Sequence, residues 1–203
     1  MTAISPNLSA QLAKDVYRLV ERSSNLQDTI SDLEQNYSGI FDRSSNSVVS
    51  ARTGGPSVIK TETSFGLMVY GGKSAKNSAF IILRGTKILG DLLTDLNAMW
   101  SSTSVKGHKI HDGFSQAFQS LKWQLDEFVA GFAAREITEV HCIGHSLGGA
   151  LATLCADYLK ANADEIIVGQ TPVVGGPIPA WGGYEIVYDG LPVGRGTFNP
   201  GVI

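Results

Sequence analysis

The chain has 203 residues, 43% of them hydrophobic and 17% charged, with sixteen basic side chains against nineteen acidic ones. That length suits one domain with a sizeable buried core, and the slightly acidic balance gives no electrostatic basis for nucleic-acid binding. Cys142 and Cys155 both lie inside apolar segments, as buried free thiols rather than a disulfide framework.

No apolar run reaches the ~20 residues that a bilayer span needs. Lys14, Asp15 and Arg18 interrupt the region where the apolar stretch of a signal peptide would lie. The expectation is a cytoplasmic protein, or one exported without a recognisable leader.

Taken in chain order, Leu8, Leu12, Val16, Leu19 and Val20 predict a helix over 7–22 with one buried face. Leu26, Ile30, Leu33 and Tyr37 suggest a second helix, and the polar stretch from Arg43 to Pro56 reads as loop. Phe65 to Tyr70 and Ala79 to Leu83 are strand candidates joined through Gly71-Gly72 and a polar turn, a plausible hairpin. Segment 87–107 carries only a weak helical pattern at Leu89, Leu92, Leu93 and Leu96, with His108 in a loop after it. A long helix is predicted from Gly113 to about Ala134, with Phe114, Phe118, Leu121, Leu125, Phe128 and Phe132 inward. Glu139 to Ile143 reads as a short apolar strand, and 147–161 returns to helical spacing through Leu147, Leu151, Leu154, Tyr158 and Leu159.

The last 36 residues differ: Val168 to Ile203 hold nine glycines and five of the seven prolines. That density predicts loop and short strand. The expected organisation is therefore one domain over 1–203 with an atypical tail over 168–203.

The chemistry centres on Gly144-His145-Ser146-Leu147-Gly148. A strand ends immediately before this Gly-x-Ser-x-Gly and a helix begins immediately after it, the context of a nucleophile elbow. The turn holds the serine in a strained backbone conformation, and the strand packs so closely on the helix that the flanking glycines leave no room for side chains. The helix start adds unpaired N–H groups and the positive end of its dipole, where an oxyanion can be held. Ser146 is thus the candidate nucleophile. One oxyanion donor follows directly, the backbone N–H of Leu147. A second is expected at the end of an earlier strand, where Arg84-Gly85-Thr86 closes Phe80-Ile81-Ile82-Leu83. Spacing alone does not separate Thr86 as a donor from an ordinary strand-ending turn.

Four blocks in order resemble the class 3 lipase family, the fungal-type triacylglycerol lipases and their bacterial relatives. They are Ile82-Leu83-Arg84-Gly85-Thr86, Asp91-Leu92-Leu93-Thr94-Asp95-Leu96, Ile110-His111-Asp112-Gly113-Phe114, and the elbow with Ala150-Leu151-Ala152 behind it. They cover about residues 65–160. A fainter fifth match is Gly169-Gln170-Thr171-Pro172-Val173-Val174-Gly175, in which Val173 replaces the family's arginine. The resemblance implies an α/β-hydrolase fold: a central, mostly parallel sheet with flanking helices, here shortened at the C-terminus. It implies Ser146 as nucleophile, Thr86 and Leu147 as the oxyanion hole, and a mobile lid over about Ile88 to Met99. A surface helix docked permanently on the core would show the same amphipathicity as such a lid.

The resemblance also implies a triad in the order Ser, Asp, His, and here the pattern breaks. His108, His111, His141 and His145 all precede Ser146 and none follows it. The acid candidate is Asp189, after the strand-like Ile186-Val187-Tyr188, although its interval from Ser146 is shorter than the family's. Without a histidine to orient, Asp189 would be a solvated loop carboxylate. The base would come from one of the four histidines, from a partner chain, or from a C-terminal part that this chain lacks.

The expected activity is carboxylic-ester hydrolysis through an acyl-enzyme on Ser146, on lipid or small-ester substrates at a lipid–water interface. A catalytically incomplete lipase-like domain with a binding or structural role is the alternative, and acyl transfer to an acceptor other than water is a third. No metal or organic cofactor is expected, since neither histidines nor cysteines are spaced as a ligand set.

Overall fold

The computed structural model describes residues 4–21, 35–37, 39–42, 47–53, 61–85, 100–105, 108–145, 147–162, 167–172, 185–188 and 191–195. In order these form α1 (Pro6–Glu21), β1 (Ser47–Thr53), β2 (Thr61–Tyr70), β3 (Ser78–Leu83), β4 (Trp100–Val105), β5 (His108–His111), α2 (Asp112–Ala130), β6 (Glu139–Gly144), α3 (Leu147–Asn162), β7 (Ile167–Pro172), β8 (Glu185–Tyr188) and β9 (Leu191–Arg195). Short 3₁₀ turns sit at Lys73–Ala75 and Ala133–Arg135.

Five strands form one sheet in the order β1-β2-β3-β6-β7. The sheet is mixed. β1, β2 and β3 pair antiparallel, whereas β3–β6 and β6–β7 are parallel. The parallel part carries the elbow, and its strands end level, with Leu83 opposite Gly144 and Gly144 opposite Pro172. β4–β5 and β8–β9 form separate antiparallel pairs.

The central strands are buried on both faces, which is why Ser78–Leu83 reads as a nearly continuous apolar run. On one face Ala79, Ile81, Leu83, Val140 and Cys142 pack against Leu121, Leu125 and Phe128 of α2 and Leu151, Cys155 and Leu159 of α3. On the other, Phe80, Ile82 and Ile143 pack against Leu12, Val16 and Leu19 of α1, with Tyr37 and Phe41 closing the edge. Phe65 shares the α2 side with Met68 and Tyr70 despite its odd position. Between β1 and β2 the register passes from Val49↔Gly66 to Ser50↔Ser64, and this bulge at Phe65 turns its side chain to the other face.

Helix boundaries have local causes. Ser5 caps α1, its Oγ accepting the Leu8 N–H at 3.2 Å, and Pro6 occupies the first helical position, where its missing N–H costs nothing. Toward the other end of the chain, α2 stops at Ala130 rather than near 134. A Cβ on Gly131 would lie 2.3 Å from Tyr70 Oη, and Tyr70 donates its hydroxyl to the Phe128 carbonyl at 2.7 Å.

Two expectations are corrected. Within the stretch read as loop from Arg43 to Pro56, residues 47–53 are strand β1; it is an edge strand, held by its pairing with β2 rather than by an apolar pattern of its own. His108 is not in a loop but opens β5, paired with Val105 of β4. Most of the second helix expected over 26–37 lies outside the described residues.

Candidate active site

The elbow is assembled from backbone fitted to backbone. A Cβ on Gly144 would lie 2.0 Å from the carbonyl oxygen of Gly148, and one on Gly148 would lie 2.3 Å from that of Leu83 and 2.6 Å from that of Arg84. Real side chains do not survive such contacts, so both positions admit only glycine without movement of main chain. The result locks the first turn of α3 against the ends of β3 and β6. His145 N–H donates to the Leu83 carbonyl at 3.3 Å and Gly148 N–H to the His145 carbonyl at 2.9 Å, closing the turn.

Leu147 is the first residue of α3, and its side chain is buried in the α2–α3 core. At this position its N–H has no acceptor within the helix, as an oxyanion donor requires. Ser146, Thr86 and Asp189 lie outside the described residues, as does the segment Ile88 to Met99 expected to form a lid. Their neighbours are placed. Gly85, before Thr86, is buried, and His145, before Ser146, is half-buried. The ends of β3 and β6 are adjacent in parallel register, so the backbone brings the residues next to Thr86 and Ser146 together at the C-terminal edge of the sheet, the edge at which α/β sheets bind ligands.

One side chain joins the two strand ends. Tyr17 of α1 accepts the Gly85 N–H at 2.9 Å, and the same oxygen lies 2.8 Å from His145 Nδ1. The two rings meet edge to face, with centroids 5.8 Å apart. Burial raises the phenol's pKa, opposed by the Gly85 bond and the nearby Arg84 charge, and burial lowers that of His145. A protonated phenol and a neutral imidazole therefore share one proton-bearing hydrogen bond between Tyr17 Oη and Nδ1. Spacing along the chain offered no sign of this residue, because 128 positions separate it from its partner.

The other placed histidine side chain has a different fate. His141 is 1% exposed, stacked on Phe80 on the α1 side of the sheet. Its Nε2 lies 3.6 Å from Glu139 Oε1, itself buried beside Ser78, whose hydroxyl donates to Oε2 at 3.4 Å. Sealed in the core, His141 cannot touch a substrate. Cys142 and Cys155 are free, buried thiols whose pKa values burial pushes up, that of Cys155 to about 12, so neither is a nucleophile. Among the described residues no group of three or more His, Cys, Asp or Glu is arranged to hold a metal ion.

A mixed sheet covered by helices on both faces, with a strand running through a glycine-locked turn into a helix, is the α/β-hydrolase fold. Two solved lipases share it. One is a triacylglycerol lipase whose catalytic centre is described as a serine protease triad, at TM-score 0.51 and 18% identity over 81% of this chain and 59% of that one. The other is a fungal lipase–inhibitor complex that served as a model for interfacial activation, at TM-score 0.50 and 20% identity over 80% of this chain and 56% of that one.

Residues 80–175 match the model of the lipase (class 3) family. The lipase of Rhizomucor miehei is 31% identical over 137 residues, which amount to 63% of this chain and 37% of the relative. Residues 80–175 are thus similar to the class 3 lipases, and the chain spans 37% of the length of this curated relative.

Proposed function

We propose that this chain carries the nucleophile and oxyanion elements of a serine carboxylic-ester hydrolase of lipase type. The observation that carries the reading is the elbow: Gly144 and Gly148, on either side of the candidate nucleophile in sequence, are fitted so closely to the backbone of β3 and α3 that a Cβ at either would strike main chain. In this reading Ser146 Oγ attacks the ester carbonyl carbon while a general base takes its proton. The tetrahedral oxyanion is held by the N–H of Leu147 and by Thr86, then collapses with departure of the alcohol. Water hydrolyses the resulting acyl-enzyme, and Asp189, after β8, is the candidate acid of the triad. The segment Ile88 to Met99, with Leu89, Leu92, Leu93 and Leu96, is proposed as an apolar lid that opens at a lipid surface. Substrates are glycerolipids or simpler esters.

A second reading is a lipase-like domain that binds without turnover. It is favoured by the two placed histidine side chains: His141 is sealed in the core, and His145 is held through Nδ1 by Tyr17. Hydrolysis of short-chain and long-chain nitrophenyl esters by the chain, beside Ser146→Ala, separates the two. Loss of a triad member leaves roughly 10³–10⁴-fold catalysis over water, so the rates must be compared quantitatively. Turnover that disappears in Ser146→Ala is expected of the hydrolase. A rate equal to the variant's identifies the non-catalytic domain.

A further inference from the structure

We infer that Tyr17 is a positioning residue of the elbow, its hydroxyl tying the residue before the nucleophile to the residue before the second oxyanion donor. The inference rests on the ester-hydrolase reading. Its geometry stands independently of that reading.

Tyr17 lies on α1, more than 60 residues before the first element of the site in sequence. Its neighbours Val16 and Leu19 are buried under the sheet, so the helix is anchored and the phenol emerges at the C-terminal end of β3 and β6. There a single oxygen accepts from the Gly85 N–H and is hydrogen-bonded to His145 Nδ1. Both bonds end one residue short of the chemistry, on Gly85 before Thr86 and on His145 before Ser146. The direct backbone contacts between the same two strand ends, His145 N–H to Leu83 and Gly148 against the Leu83 and Arg84 carbonyls, fix their separation near the sheet. The tyrosine adds a side-chain link between Gly85 and His145, the residues that precede Thr86 and Ser146 in sequence. An oxyanion hole works only when its donors are already in place as charge develops, because reorientation during the reaction costs what the hydrogen bonds gain. A clamp between the two sides that supply those donors meets this requirement.

Tyr17→Phe removes one oxygen and keeps the ring. The expected result is a kcat for nitrophenyl esters lowered about tenfold or more with little change in KM. In the same variant the ¹⁵N signals of the His145 imidazole should shift as Nδ1 loses its hydrogen-bond partner, and exchange of the Gly85 amide hydrogen should quicken. Tyr70→Phe is the control: it deletes a phenol bonded to the Phe128 carbonyl in the core, remote from the elbow, and should lower thermal stability while leaving kcat intact. Unchanged imidazole and amide signals in Tyr17→Phe would show that the clamp is not made and overturn the inference. Altered signals with an unchanged kcat would reduce Tyr17 to a packing residue and also overturn it, as would an equal fall in kcat in Tyr70→Phe. If the unaltered chain shows no Ser146-dependent turnover, the hydrolase reading fails. The positioning role then falls with it, whereas the NMR signals still report whether the tether exists.

Discussion

A methyl group is the smallest side chain that can be added to glycine, and at Gly144 or Gly148 it would meet main-chain atoms at 2.0–2.3 Å. Main chain in a sheet and a helix start cannot swing aside as a long side chain can, so the turn itself must shift. Gly148→Ala is therefore expected to cost at least the ~1–3 kcal/mol typical of overpacking, which corresponds to a fall in Tm of several degrees for a chain of this size. Gly149→Ala is the comparison, since a Cβ there would lie 3.3 Å from the Gly144 carbonyl and asks for only a small adjustment. Thermal unfolding of the two variants should separate clearly, and equal transitions would contradict the lock. These glycines and Ser146 were legible in the sequence because an elbow is a local motif, written in consecutive residues. Tyr17 was not. Its role depends on where α1 docks.

Among the elements, α1 connects stability to the site. Its apolar face places Leu12, Val16 and Leu19 against Phe80, Ile82 and Ile143, and the same docking presents Tyr17 to Gly85 and His145. Leu12→Ala is expected to destabilise the protein by ~2–5 kcal/mol, the range for emptying a fully buried leucine site. Ser5→Ala, which deletes only the cap, should cost about 1 kcal/mol. Denaturant unfolding followed by circular dichroism measures both, and a Leu12→Ala midpoint no lower than that of Ser5→Ala would contradict the docking. Helical periodicity was enough to find α1, α2 and α3, because an amphipathic helix encodes its buried face in its own spacing. The edge strand β1 escaped notice for the opposite reason: its conformation comes from hydrogen bonds to β2, a partner that its own residues do not specify.

At the scale of the whole molecule, the buried His141 makes folding depend on pH. Burial lowers its pKa, outweighing the opposing effect of the Glu139 carboxylate beside it. The folded protein thus resists protonation that the unfolded chain accepts near the ordinary histidine value, about 6.5. Between that value and the depressed folded pKa, the unfolded state binds more protons, so stability is full above about pH 6.5 and declines as the pH falls through this window. Unfolding midpoints measured from about pH 7.5 down to about pH 5 should therefore decrease, and His141→Gln should flatten the slope. A slope identical in the variant would assign the effect elsewhere.

The sequence by itself determined the lipase-like class of the chain and the position of its glycine-flanked turn. Gly-x-Ser-x-Gly between an apolar strand and a helix, and the family blocks in order around it, depend on neighbouring residues and are readable in one dimension. The tertiary structure alone decided the mixed order of the sheet, the turn of Phe65 at a bulge, the removal of His141 into the core, and the meeting of Tyr17 with His145 and Gly85. Each of these depends on which distant surfaces are buried against one another. Burial and hydrogen bonding between remote segments act through space, so no local pattern records them.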